Sequence, residues 1–449
     1  MSLPRYSKYS DSGVEWLGEV PSTWGTRRIR RLFEIRKRIC GAEGYEVLSI
    51  TQQGIRPKDI ESGDGQLSAD YSKYQFVEVG DFAMNHMDLL TGYVDISPIF
   101  GVTSPDYRVF GARDRKVCFD KYYLYLFQAG YRNKIFYAFG QGSSQLGRWR
   151  FPTDEFNSFE FPFPPIEEQK EISDFLDHET AKIDALVTEQ QELIGILKEK
   201  RQAVISHAVT RGLNPAVPLK DSGIEWLGTI PEHWEIKPLK YVASLKGRLG
   251  WQGLRSDEYT DDGPFLVTSE HFTNDKIDWD RCYHVSQDRY AIAPEIQLRE
   301  GDLLMMKDGA AMGKLAYVDK LPGPACLNSH LLLFRPSSGR FENRFLYYVL
   351  GGPGFKTYMV RERTGTTFFG ISQESIGAFP FGLPPIEEQR SILNFLNRET
   401  CKLDDLTAEA ESAIALLQER RTALIYAAVT GKIDVRGLVG VQSEEEAAE

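Results

Sequence analysis

Pro164-Pro165-Ile166-Glu167-Glu168-Gln169 and Pro384-Pro385-Ile386-Glu387-Glu388-Gln389 are one phrase written twice, and each opens a long stretch without proline. The paired prolines end whatever precedes them and preset a first helical turn. The two glutamates suit the positive end of a helix dipole. No proline follows until Pro215 in the first copy, and none follows Pro385 in the second. Ile172, Leu176, Ile183, Leu186, Leu193, Leu197 and Val204 recur at steps of three and four, with polar residues at the missing seam positions 179, 190 and 200. The second copy keeps the register with Ile392, Leu396, Leu403, Leu406, Ala413, Leu417 and Leu424. A 3.5-residue period is a coiled-coil seam. Each run predicts a helix of about 44 residues, or about 66 Å at 1.5 Å per residue. Two helices of equal length and register in one chain can pair antiparallel, each covering the other's seam. Such a pair sends the two globular segments to opposite ends of a rod and implies a pseudo-two-fold molecule.

Outward from the helices, the rest of the chain is also duplicated. Asp11-Ser12-Gly13-Val14-Glu15-Trp16-Leu17-Gly18, followed by Pro21 and Trp24, returns as Asp221-Ser222-Gly223-Ile224-Glu225-Trp226-Leu227-Gly228, followed by Pro231 and Trp234. Ala208-Val209-Thr210 returns as Ala428-Val429-Thr430. A repeat of this length is read before any other feature, because missing it misassigns the fold. Each copy holds a tryptophan box, a globular segment (25–163 or 235–383) and a long helix. The segments are rich in aromatics, glycine and short β-prone runs such as 74–79, 116–119, 303–307 and 331–334, with helices expected from Asp120 and over 344–350. Gly80-Asp81 and Gly301-Asp302 are matched turns before a strand. The fold class is α+β, with a curved or barrel-like sheet and long loops in each segment. The expected order is box and first globular domain 1–163, central helix 164–211, second box and domain 212–383, C-terminal helix 384–431, and a disordered acidic tail 432–449. The segment ends match while their interiors diverge, which suggests two readers of different targets.

Composition sets the outer limits. A chain of 449 residues and 51.0 kDa implies two to four domains, and 42% hydrophobic with 26% charged residues is ordinary for a soluble protein. No apolar run approaches the roughly 20 residues that span a bilayer. Met1-Ser2-Leu3-Pro4-Arg5-Tyr6 lacks the apolar core of a signal peptide, so a cytosolic location in a prokaryote is expected. Cys40, Cys118, Cys282, Cys326 and Cys401 are scattered, without the paired spacing of a disulfide framework or zinc site. The net charge of −11 is unevenly placed: residues 25–165 carry +2 and residues 235–383 carry zero, so the acidity lies outside the globular segments. A neutral domain still binds DNA if its cations share one face.

The duplicated box, the Pro-Pro-Ile-Glu-Glu-Gln phrase and the long helices, in this order, resemble type I restriction specificity subunits over roughly residues 8–436. The resemblance implies that each globular segment is a target-recognition domain reading one half of a split site in double-stranded DNA. The helices would set the gap and dock two modification (methyltransferase) subunits, with restriction (translocase and nuclease) subunits as further partners and no membrane. S-adenosylmethionine and ATP with magnesium would belong to those partners, leaving no cofactor and no metal on this chain.

Three sets of residues are candidates for DNA contact. Arg36, Lys37 and Arg38 follow the basic run Arg27, Arg28, Arg30 and Arg31, and match Lys246 and Arg248 in the second copy. They could grip phosphates, or simply form a solvated face. The loop 141–150, with Gln145, Arg148 and Arg150, is matched by 365–373, with Thr366 and Thr367. Glycines there allow close approach, while Gln and Arg can pair with base edges; the bland reading is a surface turn. Asn85, His86 and Asp88 follow one Gly-Asp turn, and Lys307, Asp308 and Lys314 follow the other, although His86 alone reads more simply as a packed or surface histidine. The tryptophans of the boxes read as packing.

Catalytic signatures are lacking. Gly309 to Lys314 has one residue too few for a phosphate loop, and Leu315 stands where Ser or Thr would ligand magnesium. Asn214-Pro215 is followed by Ala216-Val217, not by a methyltransferase motif. The leading expectation is a non-catalytic DNA-reading subunit. The alternatives are a coiled-coil protein-interaction scaffold without DNA specificity and a self-contained nuclease.

Overall fold

The computed structural model describes residues 3–59, 70–142, 149–247, 258–273, 275–337, 339, 341–365 and 369–438. The two long helices run from Ile166 to Arg211 and from Ile386 to Val429. Compactness divides the chain across them, into Met1–Gln191 with Glu411–Glu449, and Glu192–Ala410. Each unit therefore owns the start of one helix and the end of the other, where the linear reading made each helix a separate segment.

In the first unit, Ile172, Phe175 and Leu176 near the start of one helix share a core with Ile425, Ala428 and Val429 at the end of the other. Arg421 donates to Asp184 at 2.9 and 3.2 Å. In the second unit, Ile205, Ala208 and Val209 pack with Ile392, Leu393 and Leu396, and Arg201 donates to Asp404 at 3.0 Å. Start meets end in both units, so the pairing is antiparallel.

The seam is not the plain heptad stripe of the sequence reading. Near the domains a wider stripe is buried, because a helix wedged between a partner helix and a sheet shows apolar residues on more than the narrow coiled-coil edge. Elsewhere the pair leaves part of the stripe open: Leu186, Leu193 and Leu406 are 44%, 42% and 47% exposed.

The repeat is explicit in the sheets. The first unit orders its four antiparallel strands Phe33–Ile35, Arg108–Ala112, Phe82–Met84 and Val94–Ile96. The second repeats this as Ala243–Gly247, Leu331–Pro336, Leu303–Met306 and Leu315–Tyr317. These are open sheets with two-stranded ribbons, not a closed barrel, among the described residues. In both units the strand leading into the long helix pairs with the one leaving the box: Glu160–Phe163 with Gly25–Arg28, and Pro380–Leu383 with Glu235–Pro238. Trp24 and Trp234 are buried beneath the boxes, while Trp16 stacks on Phe159 and Trp226 on Phe379. The units diverge beyond this frame. The second adds a separate core around a sheet of Tyr283–Val285, Tyr259–Val267 and Ala325–Leu327.

Two expectations are corrected. Lys116–Phe119 is not a strand but the turn into helix Asp120–Arg132. Gln169, fully buried, donates to the carbonyls of Val117 and Pro164 at 3.0 and 2.9 Å, and its side-chain oxygen accepts from Phe119 N at 2.8 Å. Gln389 repeats this with the Pro384 carbonyl and Glu342 N, both at 2.9 Å. The glutamine of the duplicated phrase thus ties the long helix to the domain's own helix. Nor is residue 432 the start of a disordered tail. Val435 is buried, Asp434 N donates to the Pro4 carbonyl at 2.8 Å, and Lys432 Nζ donates to the carbonyls of Leu17 and Glu19 at 3.1 and 2.6 Å. The acidic residues 439–449 lie outside the described residues.

Gln169→Leu keeps the volume but leaves the buried Pro164 carbonyl unpaired and removes the bonds to Val117 and Phe119. It should cost the first unit about 2 kcal/mol, the scale of one buried group left unpaired. Urea unfolding followed by the first unit's fluorescence checks this; an unchanged midpoint would show that the tie carries no load.

Candidate nucleic-acid interface

Arg36, Lys37 and Arg38 follow the strand Phe33–Ile35, and their contacts sort them: Arg36 and Arg38 reach one carboxylate, whereas Lys37 lines a cavity. Arg36 donates to Asp81 at 2.7 Å and to Glu34 at 3.2 Å, and Arg38 pairs with the same Asp81. Asp81 is almost wholly buried. The second unit holds its matching Asp302 with Arg335, at 2.8 and 2.6 Å. Arg335 follows Phe334 on its strand as Gly111 follows Phe110. A Cβ at Gly111 would sit 2.5 Å from the Arg36 guanidinium. One buried carboxylate is therefore neutralised from either of two neighbouring strands, and the glycine makes room when the cation comes from next door. Arg36 and Arg38 are engaged in holding the Gly-Asp turn. Lys246, which occupies the Arg36 register position, is exposed, and Arg248 lies outside the described residues.

The other two sets converge. In the first unit Phe151 N donates to the His86 carbonyl at 2.9 Å and Leu89 N to the Trp149 carbonyl at 3.0 Å. In the second, Ile371 N donates to the Lys307 carbonyl at 3.0 Å and Gly309 N to the Phe369 carbonyl at 2.8 Å. The loop before the long helix is thus stitched to the end of the strand after the Gly-Asp turn, and His86 and Lys307 occupy one backbone station. Gln145, Arg148, Thr366 and Thr367 lie outside the described residues, while the arms beside them form bridges Gln141 to Arg150 and Thr364 to Gly370.

At the first station the surface is concave. A cavity of about 490 Å³ is lined by Lys37, His86, Arg108, Arg150 and Gln75 among others. An adjoining one of about 630 Å³ is lined by Asn85, Asp88, Lys58 and Lys73, and the two share Met87, Pro105, Asp106 and Tyr107. Lys37, Asn85, His86 and Arg150 are brought together here, although far apart in sequence. Asn85 and Asp88 also serve the turn, accepting from Met87 N at 3.3 Å and Leu90 N at 2.9 Å. Burial, and then the charge of Arg108, push the His86 imidazole down to about 3, so the ring is neutral. Sequence reasoning missed Arg108. Its signal was a lone cation between Tyr107 and the β-prone pair Val109-Phe110.

At the second station Lys307 is half-buried. Asp308 is bonded to His330 at 2.7 Å, and Lys314 Nζ donates to the Phe272 carbonyl at 2.8 Å. Lys314 is thus engaged in structure, unlike the free lysine a phosphate loop presents. No group of three or more His, Cys, Asp or Glu is placed to hold a metal among the described residues. No helix among them is long and apolar enough to cross a membrane.

The family model described as the type I restriction modification DNA specificity domain matches twice, over residues 21–194 and 231–414. The type I restriction enzyme MjaVIII specificity subunit of Methanocaldococcus jannaschii is 24% identical over 286 residues, which span 63% of this chain and 64% of that subunit. The putative MjaX specificity subunit of the same organism is 22% identical over 440 residues, spanning 94% of this chain and 96% of the relative. Among solved structures, a chain from work on complex assembly and conformational transition of the type I R-M system superposes with a TM-score of 0.69 at 16% identity, covering 91% of this chain and 98% of that one. The HsdS subunit from Thermoanaerobacter tengcongensis superposes with a TM-score of 0.51 at 18% identity, covering 92% and 98%. At such identities the structural likeness concerns the fold.

His86 gives this site an acid signature. Between pH 6.5 and about 3 the unfolded chain takes up a proton at this ring and the folded chain does not. Stability therefore falls with pH, by about 1.4 kcal/mol per unit at most. In His86→Gln that slope should flatten by the same amount in denaturant titrations at pH 6.5, 5.5 and 4.5. Parallel curves for the two proteins would contradict the neutral, buried ring.

Proposed function

The chain belongs to the type I restriction modification DNA specificity family, and from that premise we propose that it is the non-catalytic subunit that reads a split DNA site and recruits modification subunits. The observation that carries this reading is the pair of matched stations. One backbone frame, built twice, presents His86 at a point where the other copy presents Lys307. A duplicated scaffold with unlike side chains at equivalent points suits two readers of two unlike half-sites.

Affinity in this reading comes from phosphate contacts by exposed cations around the cavities, among them Lys37 and Arg150, and selectivity from base edges. The acidic residues of the cavity rims, Asp70, Asp88 and Asp106, keep the surface from gripping DNA of any sequence. The long helices set the gap between half-sites and carry the docking surface for two modification subunits, with restriction subunits joining in the full enzyme. S-adenosylmethionine and ATP with magnesium belong to those partners. Methyl transfer requires the target base to leave the stack and enter the partner's pocket, so this chain needs only to place the partner.

Binding of a split duplex by this chain in complex with the modification subunit should weaken steeply with salt. Exchanging residues 25–163 for another reader should change one half-site and leave the other intact. Inserting one heptad after Glu192 and another after Ser412 lengthens each helix by about 10.5 Å. That should widen the preferred gap by about three base pairs, mapped by sequencing methylated bases. An unchanged gap, or loss of both half-sites on exchanging one domain, would contradict this function.

A further inference from the structure

Arg108 is an anomaly in its sheet. It lies opposite Met84 in the ladder, and the equivalent place in the second unit, opposite Met305, is Leu332. Leu332 is a fully buried apolar residue, and Arg108 is only 3% exposed. Its Nη2 donates to the Phe151 carbonyl at 3.0 Å and to Thr153 Oγ1 at 3.3 Å, and its guanidinium lies 4.3 Å from the centre of the Phe156 ring. No carboxylate pairs with it among the described residues, and Nη1 has no hydrogen-bond partner. His86 Nδ1, beside the same cavity, also has none. A buried cation without a counter-charge is costly, and its guanidinium is held down to about 10 by that burial. The second unit shows that this fold does not need it: a leucine fills the place.

We propose that Arg108 is a specificity-determining residue of the first domain, and that the cavity above Arg108 and His86 takes a purine of the first half-site, its N7 accepting from Arg108 Nη1. This rests on the DNA-reading function proposed above. Two unpartnered polar atoms beside one cavity, Arg108 Nη1 and His86 Nδ1, favour a purine, which shows two polar positions in the major groove. Thymine shows one acceptor beside a methyl group, and cytosine shows a donor that arginine cannot accept. A backbone phosphate would be met sooner by Lys37 and Arg150, which are exposed on the rim and in no ion pair among the described residues. Ile35, Met87, Pro105 and Phe151 give the cavity apolar walls suited to a flat ring. Nη1 itself has almost no exposed surface, so the side chains lining the cavity must shift for the base to reach it. The second domain, with Leu332 at that place, reads its own half-site without this contact.

The test uses the chain in complex with its modification subunit and a duplex carrying the site mapped from the host's methylated bases. Each purine of the first half-site, on either strand, is replaced in turn by its 7-deaza analogue, which removes only N7. Every base pair contributes one purine, so the scan is complete. One position should lose about tenfold or more in affinity, the scale of a good base contact. In Arg108→Met, an apolar change that the second sheet shows to be compatible with this fold, that one penalty should vanish while base swaps elsewhere in the half-site still count. If no 7-deaza purine costs more than twofold although base swaps in that half-site abolish binding, the Arg108 contact is overturned. If the penalty persists in Arg108→Met, N7 is read by another residue and the proposal also fails. If the unmodified duplex is not distinguished from a scrambled first half-site, the DNA-reading function itself falls. Should Arg108→Met fail to fold, Arg108→Leu, the residue the second sheet holds at that place, carries the same comparison.

Discussion

Neither domain closes its core with its own stretch of chain. The helix that leaves a domain supplies Ile172, Phe175 and Leu176, or Ile392, Leu393 and Leu396. The helix arriving from the other half of the sequence supplies Ile425, Ala428 and Val429, or Ile205, Ala208 and Val209. Burial of these residues against aromatic and aliphatic neighbours is the main stabilising term available to a helix whose middle is mostly exposed. Gln169 and Gln389 then fix the angle at which each helix leaves, because a buried amide is tolerated only where its hydrogen bonds are made. The placement of everything else in each unit follows from those two junctions.

On that frame the two units keep their ladders and change their contents. The Gly-Asp turns survive with a buried carboxylate in each, yet the neutralising arginine comes from a different strand in each case. Interiors tolerate such an exchange because the constraint is charge balance in a small space, not the origin of the charge. The same latitude lets one ladder position be Leu332 in one unit and Arg108 in the other. A change of that kind leaves the backbone in place and alters what the surface above it can recognise, which is what a duplicated reader requires. Divergence of the loops alone would have exposed new side chains on flexible supports. A cation seated on a central strand is instead fixed before any ligand arrives, and a prepositioned donor loses less entropy on binding.

The basic cluster at 36–38 shows how a one-dimensional reading of charge can mislead. Three consecutive cations look like one patch. Their contacts separate them: two serve a buried aspartate and one lines the cavity. The loops at 141–150 and 365–373 and the residues after the Gly-Asp turns were recognisable as special. That they form one station per unit depends on backbone hydrogen bonds between segments some 60 residues apart, and no local pattern encodes such a bond.

What the sequence by itself determined is periodic or repeated: the two helices, their common register, the duplicated box, and hence a two-part α+β protein with paired reader domains. Those features are legible because helical period and internal repetition are properties of order along the chain. Tertiary structure alone decided which seam residues are covered, since Leu186 and Leu193 satisfy the heptad rule and still face water. It alone ordered the stretch 432–438 against the N-terminal segment, and it alone assigned Arg36 and Arg38 to Asp81. It also placed Arg108 beneath a cavity beside His86. Each of these outcomes depends on which distant segment arrives as a neighbour, and burial and charge pairing are set by neighbours in space.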